Sequence, residues 1–325
     1  MKYTTIPTST KKISSVGLGT MRFAPEIEVN QDGTRNREKT QEEVDRILSA
    51  AIEEHGITLI DTSDIYGRGR SEELIGGFFK SKPHLRDQVF IETKTGIHDE
   101  ADGKWYDLSY EHIIEAADKA LKRLGTDHLD AMLLHKSDPL FDPEGIAQAF
   151  DELYHAGKVL SFGVSNFTPM HIALLAKYCR QPISICQMQL SIAHALIIDS
   201  QINVNKYTDF GIDRDGGILD YCRLHDIRLE AWSILQAHHP WGYHSFIGDP
   251  NYPELNQEID RLCIKYDVCP QGIAAAWIMR HPAGIIPMIG TTNPVHLRET
   301  LEGVNVELTR AEWFKLYTAA GKPLP

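Results

Sequence analysis

Short apolar runs recur along this chain with helix-patterned segments between them, and no other feature narrows the possible fold as far. Alternating strand-like and helix-like segments favour a parallel sheet with helical crossovers over segregated layers. Eight runs bounded by turn residues read as buried strands, at 15–21, 58–62, 89–94, 129–135, 161–166, 183–190, 228–235 and 284–289. The fold class is therefore α/β, a (β/α)8 TIM barrel. A weakly alternating β-hairpin at residues 2–14 precedes it and an extra C-terminal helix follows it. The 325 residues suit a single domain of this kind, and no linker, low-complexity tract or repeat beyond the βα unit divides them.

Helix starts are legible as capping chemistry. Thr40-Gln-Glu-Glu43 and Thr309-Arg-Ala-Glu312 are capping boxes, in which the hydroxyl takes one orphan amide and the glutamate reaches back to another. Asp142-Pro143, Thr168-Pro169 and Asn293-Pro294 each set a cap before a proline at the first helical position. Val44, Ile47, Leu48, Ala51 and Ile52 form one face of a helix that runs to about His55; further helices are read at 71–80, capped by Ser71, and at 111–124. Four stretches read as loops: the polar segment through Glu38, then 95–108, 192–215 and 236–253. Long loops in a compact domain commonly act as lids or binding loops.

The formal charge is -12, from 45 acidic against 33 basic residues. Such a chain has no long-range attraction for nucleic acid or anionic lipid, and an anionic cofactor would need a local patch to hold it. The five cysteines, Cys179, Cys186, Cys222, Cys263 and Cys269, form no C-x-x-C pair and read as reduced thiols. No stretch approaches the roughly 18 apolar residues of a membrane span, and the N-terminus lacks a signal-peptide core. A cytoplasmic protein with no membrane and no nucleic-acid partner is expected, its oligomeric state left open.

Four ionisable residues stand at or just beyond the ends of these apolar runs: Asp61, Tyr66, Lys94 and His135. Strand C-termini form the face of an α/β barrel where active sites are built. Together the four make a carbonyl-reducing site. Tyr66 is a proton donor that stays protonated at neutral pH, and Lys94 is a cation that would lower its pKa below the free value near 10. Asp61 keeps Lys94 charged, and neutral His135 has one N–H to offer the same oxygen. Taken singly, each has a plainer reading: an ordinary buried ion pair, a loop aromatic, a core histidine. Trp105 and Tyr106 either roof the substrate or merely pack a surface loop. The run from His238 to His244 reads as a substrate-side or adenosine-side loop, not a metal site, because zinc needs three or four converging ligands.

Asp-Thr-Ser-Asp-Ile-Tyr-Gly (61–67), Glu-Thr-Lys (92–94), Leu-Leu-His (133–135) and Gly-Val-Ser-Asn-Phe (163–167) resemble the aldo/keto reductase superfamily. So do Gly-Leu-Gly-Thr-Met (17–21) and Ile-Gly-Thr-Thr-Asn-Pro (289–294), in order over nearly the whole chain. The likeness is nearest to the bacterial YdhF-like oxidoreductase branch. It implies an enzyme that binds NADP(H), with NAD(H) as a possible second cofactor, in extended form and without a Rossmann domain. The sequence agrees that no G-x-G-x-x-G follows a strand. By the same resemblance, Asp61, Tyr66, Lys94 and His135 are catalytic. Tyr66, Trp105 and His135 face the substrate, and Thr20, Met21 and Asp61 lie beside the cofactor. Ser165, Asn166 and Gln187 would grip the nicotinamide carboxamide, and Trp232 would stack on its ring. Ser233, Ile234 and Leu235 would follow the pyrophosphate, with Gly290, Thr291, Thr292, His296 and Glu299 at the adenosine end. The family often sets a lysine or arginine on the 2'-phosphate, but none occupies the matching positions here, so a modest NADP(H) preference is expected.

The function expected is NAD(P)H-dependent reduction of a small-molecule aldehyde or ketone to an alcohol. Two rivals remain. One is a dinucleotide-binding regulatory subunit without significant turnover, which single-turnover oxidation of bound NADPH would separate. The other is a metal-dependent barrel hydrolase, which requires a stoichiometric ion.

Overall fold

The computed structural model describes residues 1–24, 38–100, 103–239 and 242–325, without the side chains of Glu100, His238, His239 and Tyr243. Most of the polar segment expected before Glu38 lies outside the described residues, as does the centre of the histidine-rich run.

An antiparallel pair, β1 (Tyr3–Thr5) and β2 (Lys12–Ser14), comes first. Eight parallel strands then close into a barrel: β3 (Gly17–Gly19), β4 (Leu59–Asp61), β5 (Phe90–Thr95), β8 (Ala131–Leu134), β9 (Phe162–Ser165), β10 (Ile183–Gln189), β11 (Arg228–Trp232) and β14 (Ile286–Ile289). Each of the eight expected strands is present; most are shorter than expected, while β5 runs one residue past Lys94 to Thr95. Pairing of Met288 with Gly17 and Ile289 with Leu18 shuts the ring.

Successive side chains on a strand face opposite sides, so every second residue of a barrel strand points inward. That period assembles the interior in layers. Leu59, Phe90, Ala131, Leu133, Ile185, Ile286 and Met288 form an apolar cluster near the N-terminal ends of the strands, capped from below by Ile6 and Ile13 of the hairpin segment. Two residues further along the same faces come Asp61, Glu92 and Gln187, and beyond them Lys94 and His135. The opposite faces, such as Ile60, Ile91, Met132 and Val164, pack on the surrounding helices.

The helical ring contains α1 (Gln41–Ser49), α2 (Arg70–Ser81), α3 (Tyr110–Leu124), α4 (Pro143–His155), α5 (Pro169–Tyr178), α6 (Leu196–Ile202), α7 (Ile218–Leu224), α8 (Pro253–Tyr266), α9 (Pro270–Met279), α10 (Pro294–Leu301) and α11 (Arg310–Ala319). Both capping boxes form, and Asp142, Thr168 and Asn293 cap α4, α5 and α10. The expected C-terminal helix, α11, is held by Trp277 and Trp313, whose indoles stack at 4.8 Å and each donate to the other's backbone carbonyl.

Three local expectations are corrected. The cap of α2 is Gly69 at φ 87°, while Ser71 is the second residue of the helix and donates to Thr20 Oγ1 at 2.9 Å. The helix begun at α1 ends in a wider π turn over Ala50–Glu54. Two stretches read as loops contain hairpins, β6 (Ile97–Glu100) with β7 (Gly103–Tyr106), and β12 (Gln236–His239) with β13 (Gly242–Ser245). Strand β7 is exposed throughout, so no buried face imposed the apolar alternation by which a strand is recognised. The remaining loop, 192–215, carries α6 and a 3-10 turn at Asp209–Gly211.

At the opposite end from the site, buried Asp130 joins the β8 end of the barrel to its neighbours. It bonds Lys11 at 2.6 Å, Arg86 at 3.0 Å and the amide of Ile91 at 2.9 Å. Asp130→Ala strands two cations and an amide, and should cost about 3–5 kcal/mol of unfolding free energy. Urea denaturation of the variant checks this; a loss under about 1 kcal/mol would show the cluster to be dispensable.

Candidate active site

Asp61 ends β4, Lys94 is the fifth residue of β5, and His135 follows β8 directly. Tyr66 reaches the same point from the turn after β4, its amide bonded to the carbonyl of Ser63 at 3.2 Å. Lys94 donates to Asp61 Oδ1 and, at 2.8 Å, to the carbonyl of Thr62. Its ammonium lies 5.0 Å from the centre of the Tyr66 ring, and the Tyr66 and His135 rings meet edge to face at 5.9 Å. The four residues read as one machine are thus brought together.

Their electrostatics confirm part of the expectation and correct part. Burial alone would lower the Lys94 pKa, but Asp61, Tyr66 and Glu92 raise it above the usual lysine value. His135 is held well below the usual histidine value, first by burial and then by Lys94, Lys136 and Lys104, so its ring is neutral. Tyr66 was expected below its free value. Instead burial pushes it up to about 12, although Lys94 pulls in the other direction as anticipated. Tyr66 lines the cavity yet is half-buried, and desolvation of a tyrosinate outweighs a single neighbouring ammonium.

Ser63 decides what neutral His135 can offer. Its hydroxyl lies 3.1 Å from His135 Nδ1 and also 3.1 Å from the Lys94 carbonyl. Its single proton goes to one acceptor at a time: given to the Lys94 carbonyl or to Asp64 Oδ1 at 3.3 Å, it makes His135 Nδ1 the donor; given to Nδ1, it leaves the imidazole proton on Nε2. Ser63 was not among the candidates read from the sequence; it lies within the Asp61–Gly67 motif, which was the available signal.

Below the quartet, Gln187 Nε2 donates to Asp61 Oδ1 at 2.9 Å, Glu92 Oε1 at 2.6 Å and Glu230 Oε2 at 2.8 Å. Burial raises the pKa of both glutamates, with Glu230 and Asp61 pushing Glu92 further up and Asp61 adding to Glu230, so the pair retains a proton between them. The Gln187 amide nitrogen is fully engaged downward, leaving its carbonyl for any group above.

A cavity of about 910 Å³ opens over these residues and runs past the end of β11 to the start of α10. Met21, Asp61, Tyr66, Lys94, His135, Ser165, Asn166, Gln187, Trp232, Ser233, Ile234, Leu235, Gly290, Thr291, Thr292 and His296 all line it. Three candidates do not. Thr20 is buried and spends its hydroxyl on the Asp61 carbonyl at 2.9 Å; Glu299 accepts from Gln271 behind the wall; Trp105 stacks on His98 at 3.8 Å. Asn166 and Ser233 hold left-handed backbones, φ 58° and 56°, each directly after a barrel strand. Such conformations cost about 1–3 kcal/mol and cluster at binding sites.

Sequence reading missed Lys136, Lys104, Gln236 and Gln271, which also line the cavity. Lys136 is half-buried, its pKa lowered by desolvation, with its ammonium 5.9 Å from the Trp232 ring centre. It directly follows His135, so adjacency to a motif histidine was the only clue. Gln271 Oε1 is buried without a hydrogen-bond partner. His244 lines the cavity as well; the rest of the histidine-rich run falls outside the described side chains. Among the described residues, no helix is long and apolar enough to cross a membrane.

Known proteins place this arrangement. A "6-dehydroglucose reductase" of Agrobacterium fabrum is 34% identical over 271 residues, 82% of this chain and 84% of that protein. The "Oxidoreductase YdhF" of Escherichia coli is 33% identical over 284 residues, 85% and 88% of the two chains. Among solved structures, a thermostable aldo-keto reductase, Tm1743, crystallised with the inhibitor epalrestat, superposes with a TM-score of 0.75. It is 24% identical, and the match covers 98% of this chain and all of that one, which speaks for the fold. The model of the Aldo/keto reductase family matches residues 15–319, so the chain belongs to the aldo/keto reductase family, whose members include carbonyl-reducing oxidoreductases.

Proposed function

We propose that the protein reduces a small hydrophilic aldehyde or ketone to an alcohol, with NAD(P)H as hydride donor and Tyr66 as proton donor. The observation that carries this reading is the convergence of Asp61, Tyr66, Lys94 and His135 at the C-terminal mouth of the barrel, under a cavity long enough for a dinucleotide. The residues present suit that cofactor. Ser165, Asn166 and the Gln187 carbonyl offer donors and acceptors to a carboxamide, and Trp232 offers a flat face. The unpartnered Gln271 carbonyl suits an exocyclic adenine amine, and the N-terminus of α10 suits a phosphate. The bound cofactor supplies a hydride; the protein supplies orientation and the proton.

In the tautomer that accepts from Ser63 at Nδ1, neutral His135 carries its proton on Nε2 and holds the carbonyl oxygen beside the Tyr66 hydroxyl. As that oxygen gains negative charge, Tyr66 donates its proton and Lys94 stabilises the tyrosinate left behind. Asp61 keeps the ammonium aimed. The raised Tyr66 value keeps the acid loaded in the resting enzyme. Lys104, Lys136 and Gln236 make the outer mouth polar, which favours a hydrophilic carbonyl such as an oxidised sugar, the compound named for the Agrobacterium relative. A panel of sugar aldehydes, simple aldehydes and ketones, read by loss of NADPH and NADH absorbance, tests the reading. Cofactor binding without oxidation by any member would leave a regulatory dinucleotide-binding subunit.

Tyr66→Phe removes the proton donor and little else, so kcat should fall by about 10²–10⁴ while cofactor affinity stays nearly constant. A variant with more than half its activity would remove Tyr66 from the chemistry.

The pH profile follows from the two shifted groups. Reduction needs protonated Tyr66 and neutral His135. Since His135 is shifted down and Tyr66 up, kcat/KM should be flat from about pH 6 to 9, with its alkaline limb above the free tyrosine value near 10. Lys94→Met removes the one cation that favours tyrosinate, so the limb moves higher still and the rate drops. An inflection near 6.5 in the wild type would contradict a neutral imidazole.

Preference for NADP(H) should be modest. Thr291, Thr292 and His296 line the adenosine end with hydroxyls and an exposed imidazole, and charge-assisted contacts are about twice as strong as neutral ones. His296→Ala should weaken NADP(H) binding and leave NAD(H) binding unchanged, as measured by fluorescence titration. Equal affinities for both cofactors in the wild type would make the protein a dual-cofactor enzyme.

A further inference from the structure

On the outer side of the mouth, behind hairpin β6–β7, three side chains from separate segments meet. One ligand-capable atom from each of His98 on β6, Asp107 after β7 and His112 on the first turn of α3 lies within 4.8 Å of the other two. His98 and His112 border a second cavity, of about 350 Å³, walled also by Asp64, Asp99 and Glu115 with Arg68, Lys119 and Arg123, and separate from the larger one.

Each of the three is held by its surroundings. The His98 ring stacks on Trp105 at 3.8 Å with 5° between planes, and its centre lies 4.6 Å from that of His112. Two imidazoles on one tetrahedral ion, with metal–nitrogen bonds of about 2.0–2.1 Å, have ring centres about 5 Å apart. Asp107 is fixed through Oδ1, which accepts from the Ser109 amide at 2.8 Å, while Ser109 caps α3 at the amide of His112.

Hydrogen bonding behind His112 sets its tautomer. Thr95 Oγ1 donates to Asp64 Oδ2 at 2.6 Å, so its proton is committed there. His112 Nε2 lies 3.0 Å from the same oxygen and can bond it only as a donor, which leaves Nδ1 with the lone pair. A carboxylate acting on the far nitrogen, here relayed through a hydroxyl, is how metal-ligating histidines are oriented. The catalytic mechanism uses none of these groups.

We propose that His98, Asp107 and His112 form a binding site for a divalent transition cation, zinc before others, that clamps hairpin β6–β7 to the start of α3. Two imidazoles and one carboxylate suit Zn²⁺, Ni²⁺ or Cu²⁺ over Mg²⁺ or Ca²⁺, which prefer all-oxygen shells. A water completes the fourth position. Ligand atoms on a tetrahedral zinc stand about 3.4 Å apart, so the closure required is at most about 1.4 Å, within reach of side-chain rotation in a hairpin. Because Lys104 on β7 lines the catalytic cavity, the ion would also fix one wall of the mouth.

The test uses the untagged full-length protein, stripped with a chelator and titrated with ZnCl2 by calorimetry, then with CoCl2 by visible absorption. One zinc per chain at micromolar Kd or tighter is expected, with a four-coordinate cobalt band and a melting temperature raised by about 5 °C at a hundredfold excess over Kd. His98→Ala and His112→Ala should each weaken binding at least tenfold. Thr95→Val, which touches no ion, should weaken it about 10–100-fold by releasing the His112 tautomer. Circular dichroism confirms that each variant is folded. Absence of stoichiometric zinc in the wild type, or zinc retained by the His98→Ala/His112→Ala double variant, overturns the site.

Discussion

The ion pair between Lys94 and Asp61 is the interaction on which the rest of the site depends. Both side chains are almost wholly buried, so neither charge is tolerable without the other. Paired, they give the mouth a fixed ammonium that also bonds the Thr62 carbonyl, and that ammonium faces the Tyr66 ring. It likewise helps to keep His135 neutral, because a second cation beside it is costly. Burial does most to fix the protonation of Tyr66 and His135, and the pair acts on both, opposing burial at Tyr66 and reinforcing it at His135.

The pair rests on a polar layer of its own. Asp61 accepts from Gln187, which also bonds Glu92 and Glu230, and the two glutamates retain a proton between them. A barrel interior is ordinarily filled by branched apolar side chains. Here that packing ends at Leu59, Phe90, Leu133 and Ile185, and one pleat later the same faces present two carboxylates, an imidazole and an amide, from Asp61, Glu92, His135 and Gln187. The change from dry core to active site occupies two residues per strand. It requires that the strands be in register, which parallel pairing from β3 to β14 secures.

Tyr66 illustrates a balance that residue types alone do not reveal. A lysine beside a tyrosine lowers its pKa, and that effect is present. The magnitude of the opposing desolvation depends on how much protein surrounds the ring, to which residues from β4, β5 and β8 contribute. Burial wins. Binding of a dinucleotide would surround the ring further and add to the same desolvation.

Much was determined by the sequence itself, because it depends on local order. Strand and helix positions follow from apolar periodicity, helix starts from hydroxyl, carboxylate and proline at fixed offsets, and the candidate quartet from ionisable residues at the ends of apolar runs. The tertiary structure alone decided which of these groups meet and in what medium. Thr20 and Glu299 turn away from the cavity, Lys136 and Gln271 turn into it, and Trp105 stacks on His98. His98, Asp107 and His112 meet across a hairpin whose strands, β7 exposed and β6 half-buried, leave no periodic mark. The reason is physical: side-chain direction along one strand has a period of two and can be read locally. Distances between segments are set by barrel closure, and the energy of a charge is set by the protein packed around it.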